Sequence, residues 1–146
     1  IMTSNLSEEQ KVLLSIDYFN NKYNLNLVKT VNQYEIWDAE DKENIIEFKF
    51  RNKYYENKYI QIDKFLRLIM AAEYYSKTPY YCVKDEKGYF FYNLEEQTTN
   101  LLESKIITQR VSYQTDFNKN NKINKYFYQL KPTQQTQINE RRTTLL

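Results

Sequence analysis

Apolar residues along this chain change their spacing several times, and each change marks an element. Val12, Leu13, Ile16, Phe19 and Tyr23 recur at helical intervals. Ahead of them, Ser7-Glu8-Glu9-Gln10 has the pairing of a capping box, in which Ser7 caps the helix and Gln10 reaches back. Together these predict an amphipathic helix over 7–22, weakened at its end by Asn20-Asn21-Lys22. Leu25 to Val31 alternates imperfectly and Tyr34 to Asp38 is rich in residues that suit a pleated surface, so both read as strands. After the polar connection 39–43, Asn44 to Arg51 alternates strongly. Ile46, Phe48 and Phe50 take one face, while Ile45, Glu47, Lys49 and Arg51 take the other. The short loop between these last two strands predicts an antiparallel hairpin.

Further on, Ile62, Phe65, Leu66, Ile69 and Ala72 predict a helix over 60–76, ending near Ser76-Lys77-Thr78-Pro79. The runs 80–84 and 89–94 flank Asp85-Glu86-Lys87-Gly88, a hairpin with the chain's single glycine where positive φ is most needed. Asn124–Lys131 reads as a late strand, and no period stands out before it. The order helix, strands, helix, strands predicts an α/β (α+β) fold with a mixed central sheet flanked by helices. One domain over 1–131 accounts for it, and the Thr/Gln-rich 132–146 is expected to be a C-terminal tail or arm. No repeat at a solenoid period is present.

Composition narrows the chemistry. With 146 residues, 41% hydrophobic and 16% aromatic, the chain has material for one core, and an aromatic one, with 15 Tyr and 8 Phe. A single Gly excludes a glycine-rich phosphate cradle. The absence of His removes Ser-His and Cys-His catalysis and the commonest zinc ligand. Cys82, in the apolar run Tyr80-Tyr81-Cys82-Val83, is expected to be a buried structural thiol. An enzyme built from this inventory must work with carboxylates, Lys, Arg, Tyr and amides, best with a hard, oxygen-loving metal. The net charge of +2 is too small to identify a nucleic-acid binder. No apolar run approaches a membrane span and no secretory pattern opens the sequence, so a soluble cytoplasmic protein is expected, without membrane partners.

The residues that carry chemistry lie on the strand 44–51. Glu47 and Lys49 project to the same side, and Asp38 ends the preceding strand. A hairpin that brings Asp38 to Glu47 would let two carboxylates and water hold Mg²⁺ or Mn²⁺ beside a phosphate, with Lys49 positioned to act on the attacking water or on the transition-state charge. Glu35 and Asp41 compete with Asp38 for the role of first acid, because the hairpin register is not set by strand parity. Between Lys49 and Arg67 six basic residues (Lys49, Arg51, Lys53, Lys58, Lys64 and Arg67) face two acids, interleaved with Tyr54, Tyr55 and Tyr59, as a phosphate-contacting surface requires. A solvated loop and helix face would show the same charges. Arg141-Arg142 offer a further phosphate contact.

Tyr34-Glu35-Ile36-Trp37-Asp38, Ile45-Ile46-Glu47-Phe48-Lys49-Phe50-Arg51 and Tyr59-Ile60-Gln61-Ile62-Asp63-Lys64, in this order, resemble the PD-(D/E)XK, or restriction-endonuclease-like, superfamily. The resemblance implies an αβββαβ core and a divalent-metal-dependent nuclease, acting on DNA, with RNA also within reach. It makes Asp38 and Glu47 the metal ligands, Lys49 the catalytic lysine and Gln61 the helix residue that completes the site. It adds a Glu of the first helix, for which Glu9 is preferred to Glu8 because it shares the face of Ile16. Trp37 stands before Asp38 in place of the Pro of the family pattern, which many members also lack. The small, Tyr/Asn/Lys-rich chain is similar to bacteriophage members, which would place it in a host cytoplasm, and analogy suggests pairing of two copies. The alternative is a catalytically silent nucleic-acid-binding, virion or interaction protein on the same fold.

Overall fold

The computed structural model describes residues 5–31, 36–98, 106–112, 122–131 and 135–138. The first helix, α1 (Glu8–Tyr23), starts on the expected capping box: the Gln10 amide donates to Ser7 Oγ at 3.1 Å and the Ser7 amide to Gln10 Oε1 at 2.9 Å. Asn24, in the left-handed region at φ 55°, ends it. Three strands follow, β1 (Val28–Lys29), β2 (Ala39–Glu40) and β3 (Asn44–Phe50). The hairpin forms, but its turn lies later than the residue pattern suggests. Asp41 accepts the amides of Glu43 and Asn44 at 2.9 and 2.8 Å, which folds 41–44 into the turn and leaves Ala39 and Glu40, expected as loop, to pair with Ile46 and Ile45. Glu35 lies outside the described residues.

The strand β4 (Tyr59–Gln61) leads directly into α2 (Ile62–Tyr75), whose C-cap Ser76 is again left-handed. The hairpin of β5 (Thr78–Asp85) and β6 (Gly88–Asn93) turns at Gly88, with φ 123°, as expected. Next come a short helix α3 (Leu94–Thr98) and three more strands, β7 (Ile106–Ser112), β8 (Lys122–Gln129) and β9 (Gln135–Ile138). The central sheet has the order β1-β2-β3-β5-β6-β9, with β3 and β5 parallel and the other neighbours antiparallel. It is the mixed sheet that the residue pattern predicts. Two things differ. The late strand β8 joins a separate antiparallel sheet, β4-β8-β7, and the segment expected as tail or arm contributes β9 to the central sheet.

Alternation in β3 sorts its side chains onto two layers. Ile46, Phe48 and Phe50 pack with Val12, Ile16 and Phe19 of α1, where Phe19 meets Phe48, Tyr89 and Phe91 ring to ring. Cys82 is fully buried in this layer and burial pushes its thiol pKa up, so it is a structural residue. On the opposite layer Ile45, Tyr81 and Val83 pack with Phe65, Leu68 and Ala72 of α2 and with Tyr128 and Leu130 from the end of β8. The polar residues of β3 that follow Ile45 on this second face, Glu47 and Lys49, therefore emerge where α2 begins and the second sheet stands alongside. Among the described residues no helix is long and apolar enough to cross a membrane.

Candidate active site

The hairpin brings Asp38 to Glu47. The ladder of β2 and β3 ends at Ala39, and Asp38 continues it irregularly: its amide donates to the Ile46 carbonyl at 2.9 Å, its carbonyl accepts from Thr30, and its carboxylate Oδ2 takes the Phe48 amide at 2.8 Å. A side-chain oxygen thus replaces a backbone acceptor, which turns the carboxylate onto β3 beside Glu47. Asp41 is committed to the turn, with its Oδ1 also accepting from Asn44 Nδ2 at 3.1 Å. Of the two described acids competing for this place, Asp38 is the one that reaches Glu47.

Glu47 is only 7% exposed, and its Oε1 is buried without a hydrogen-bond partner. Its Oε2 accepts from Lys64 Nζ at 2.6 Å. Its pKa is pushed up to about 8, chiefly by burial and then by the Asp38 charge; the Lys64 ammonium opposes this without cancelling it. The two carboxylates repel each other, and the buried Glu47 Oε1 has no donor facing it, so the pair has one oxygen open to a cation. Lys49, two residues on, is exposed as a residue, yet its pKa is lowered by partial burial of the ammonium and by the charges of Arg51 and Lys64, against the pull of Glu8 and Glu47.

Lys49 and Lys64 line a groove of about 760 Å³ whose walls come from residues of both sheets, while Glu47 and Asp38 lie behind them and are not part of its lining. Tyr81 and Val83, the parallel neighbours of Glu47 and Lys49 in register, form part of its floor. Gln61, the N-cap of α2, lines the same groove as Lys49. Lys64, expected on a nucleic-acid surface, sits inside the site against Glu47 instead, because one turn of helix carries it over β3. Arg51 also lines the groove.

Other expectations are met differently. Lys58 is buried at 5% and pairs with Asp85 at 3.1 Å, with its ammonium also held by the Tyr55 carbonyl and lying 4.2 Å from the centroids of both Tyr54 and Phe90. It is a structural cation and not a free phosphate contact. Lys53 and Arg67 are exposed but do not line the groove. Glu9 faces Lys29 at 3.5 Å, whereas Glu8 is the residue of α1 whose charge acts on Lys49. Arg141 and Arg142 lie outside the described residues. Asp85, Lys125 and Phe127 are groove residues that the residue pattern missed; alternation on the late strand could have put Lys125 and Phe127 on one face, but not against β4.

No family model matches this chain, and neither does any curated protein. Among solved structures, the chain is similar to Archaeoglobus fulgidus Hjc, a Holliday junction resolvase from an archaeal hyperthermophile. The likeness has a TM-score of 0.55 at 14% identity and covers 90% of this chain and 93% of that one. The two share a fold. That fold agrees with the mixed sheet flanked by helices expected from the sequence.

The site also has a consequence for stability. A Glu whose folded-state pKa lies near 8, against an ordinary value of 4.5, binds its proton more tightly when folded. Its stabilising contribution is therefore complete below about pH 4.5 and is lost as pH rises through about 8, on the order of 5 kcal/mol in all. In metal-free buffer, urea unfolding of the wild type is expected to show this decline and Glu47→Gln to flatten it. Parallel pH curves for the two proteins would disprove the shift.

Proposed function

We propose that the chain is a divalent-metal-dependent nuclease that hydrolyses phosphodiester bonds in DNA. The observation that carries this reading is Glu47 Oε1, buried and without a partner beside the Asp38 carboxylate, with the pKa-depressed Lys49 two residues along the strand. Two carboxylates suit a hard cation such as Mg²⁺ or Mn²⁺, whose remaining positions would be left to water and substrate oxygens; among the described residues no third His, Cys, Asp or Glu joins them. Asp38 and Glu47 would hold the ion, and when bound it supplies Lewis acidity toward the phosphate and the attacking water. An acid of α1 belongs to this reading as well; the pull of Glu8 on the Lys49 charge supports Glu8 for that place. The shared fold with a Holliday junction resolvase supports a DNA substrate.

The side chains of this protein then have separable tasks. Lys49, with its proton held less tightly than in an ordinary lysine, exchanges a proton with the water and neutralises charge that grows on the phosphate. Arg51 meets phosphate oxygens from the same strand, and Gln61 orients water from the start of α2. Lys64, which holds Glu47 Oε2 at 2.6 Å and lines the groove, would supply a second positive charge for a phosphate beside the site. Pairing of two copies belongs to this reading, and Leu66, Met70 and Tyr74, at 51%, 68% and 81% exposure on one side of α2, supply an apolar face for it.

One observation favours a second reading, a nucleic-acid-binding protein without catalysis: the Lys64 ammonium, 2.6 Å from Glu47 Oε2, occupies one of the two oxygens a metal ion would need. Calorimetric titration with Mn²⁺, run beside a cleavage assay on plasmid DNA, separates the two. The nuclease reading expects Mn²⁺ binding that is lost in Asp38→Ala and Glu47→Ala, together with metal-dependent cleavage. DNA binding with neither Mn²⁺ uptake nor cleavage would establish the second reading.

A further inference from the structure

The groove leading away from Glu47 and Lys49 is larger than a metal ion, a water and a phosphate require. Its volume of about 760 Å³ matches that of sites enclosing a whole organic ligand, roughly 300–1,000 Å³. Its frame is fixed by backbone pairing: Gln61 of β4 lies opposite Phe127 of β8, and Leu130 donates to the Lys58 carbonyl at 2.9 Å. Along it, Lys49, Arg51 and Lys125 bring positive charge, while Glu56 is the remaining acid in the lining once Lys58 and Asp85 are paired. Besides the buried Tyr81 of the floor, three aromatic residues stand between these charges, Tyr55, Tyr59 and Phe127. Tyr55 is 58% exposed and belongs to neither core cluster, so packing does not explain it.

Charge with interleaved rings is the chemistry of a surface that tracks a single strand, in which each exposed base face finds an aromatic partner. A duplex keeps its base faces stacked and presents only edges and phosphates, so rings set within a walled groove gain nothing from it. We propose that this groove holds unpaired nucleotides of the strand being cut, with a base stacked on Tyr55 or Phe127 and flanking phosphates on Arg51 and Lys125. The favoured substrate is then DNA with a single-stranded segment next to the scissile bond. This rests on reading Glu47 and Lys49 as a nuclease centre, and adds to it the form of the substrate.

The test uses the whole chain and fluorescence anisotropy in Ca²⁺, with three labelled DNAs of one sequence: a blunt duplex, the duplex with a single-stranded extension, and the single strand. The extended duplex is expected to bind about 10-fold tighter than the blunt one, and Tyr55→Ala to erase most of that preference, as the loss of a stacked base would. Tyr55 is exposed, so the variant should fold, and its circular dichroism checks this; Phe127→Ala repeats the test on the other wall. Equal affinity for blunt and extended DNA, or an equal loss for both in Tyr55→Ala, overturns the proposal. Cleavage of the same DNAs in Mg²⁺ keeps the two ideas apart. Cleavage without preference refutes the groove alone, whereas a Tyr55-dependent preference without cleavage in any metal supports the groove and refutes the nuclease.

Discussion

Lys49→Ala is expected to lower metal-dependent DNA cleavage by about 100- to 1,000-fold, the usual effect of removing one preorganised charge from a hydrolytic transition state. Glu47→Ala should reduce it further, to background, because it removes both the orphaned buried oxygen and the partner of Asp38. Folding and metal binding distinguish the two variants. Lys49 is exposed as a residue, so Lys49→Ala should retain the fold and bind Mn²⁺, whereas Glu47→Ala should fold without binding it. Lys49→Arg sharpens the assignment. Arginine keeps the positive charge but does not give up its proton near neutral pH. If cleavage survives in Lys49→Arg, the lysine acts as a charge; if it falls as in Lys49→Ala, the lysine acts through its proton. Activity of Glu47→Ala equal to that of the wild type would sink the site.

The largest stability effect should come from a residue outside that chemistry. Asp85 is 3% exposed and its Oδ2 lies 3.1 Å from Lys58 Nζ, while its Oδ1 accepts the Lys87 amide at 2.8 Å. The pair ties the loop after β3 to the turn between β5 and β6, and Tyr54 packs over it. Asp85→Ala leaves the Lys58 ammonium buried against two aromatic rings with no counter-charge, which costs about 3–5 kcal/mol. Lys58→Met combined with Asp85→Leu should recover much of that loss, since apolar residues of similar volume often replace a buried pair without penalty. Equilibrium urea denaturation of the two single variants and the double measures this. A cost below about 1 kcal/mol for Asp85→Ala would show that the pair is not structural.

How far the site was legible in the sequence depends on the kind of information each residue carries. Glu47 and Lys49 could be read because strict alternation over 44–51 fixes which side chains share a face. The first acid could not, because Glu35, Asp38 and Asp41 differ by three residues each and only the hairpin register separates them. That register hangs on Asp41, whose carboxylate holds the turn, so one competing acid sets the geometry that brings Asp38 forward. Lys58 misled for a different reason. A lysine in a basic, tyrosine-rich loop reads as exposed, and its burial depends on Asp85, twenty-seven positions away in the sequence. The mixed sheet was predictable from local patterns, whereas the separate sheet of β4, β7 and β8 arises from long-range pairing that no local period reports.

The short strand β9 gives the central sheet a different border. The most aromatic run of backbone, Tyr89-Phe90-Phe91-Tyr92, lies on β6, and each of its four residues is paired with one from Gln135–Ile138. Without that cover, β6 would end the sheet as a flat apolar template of the kind that recruits other chains into growing aggregates. With it, the border is a four-residue strand of Gln, Thr, Gln and Ile, while the opposite border is β1, only two residues long. Among the described residues, β9 thus spends its backbone on covering the aromatic strand β6, apart from any chemistry at Glu47.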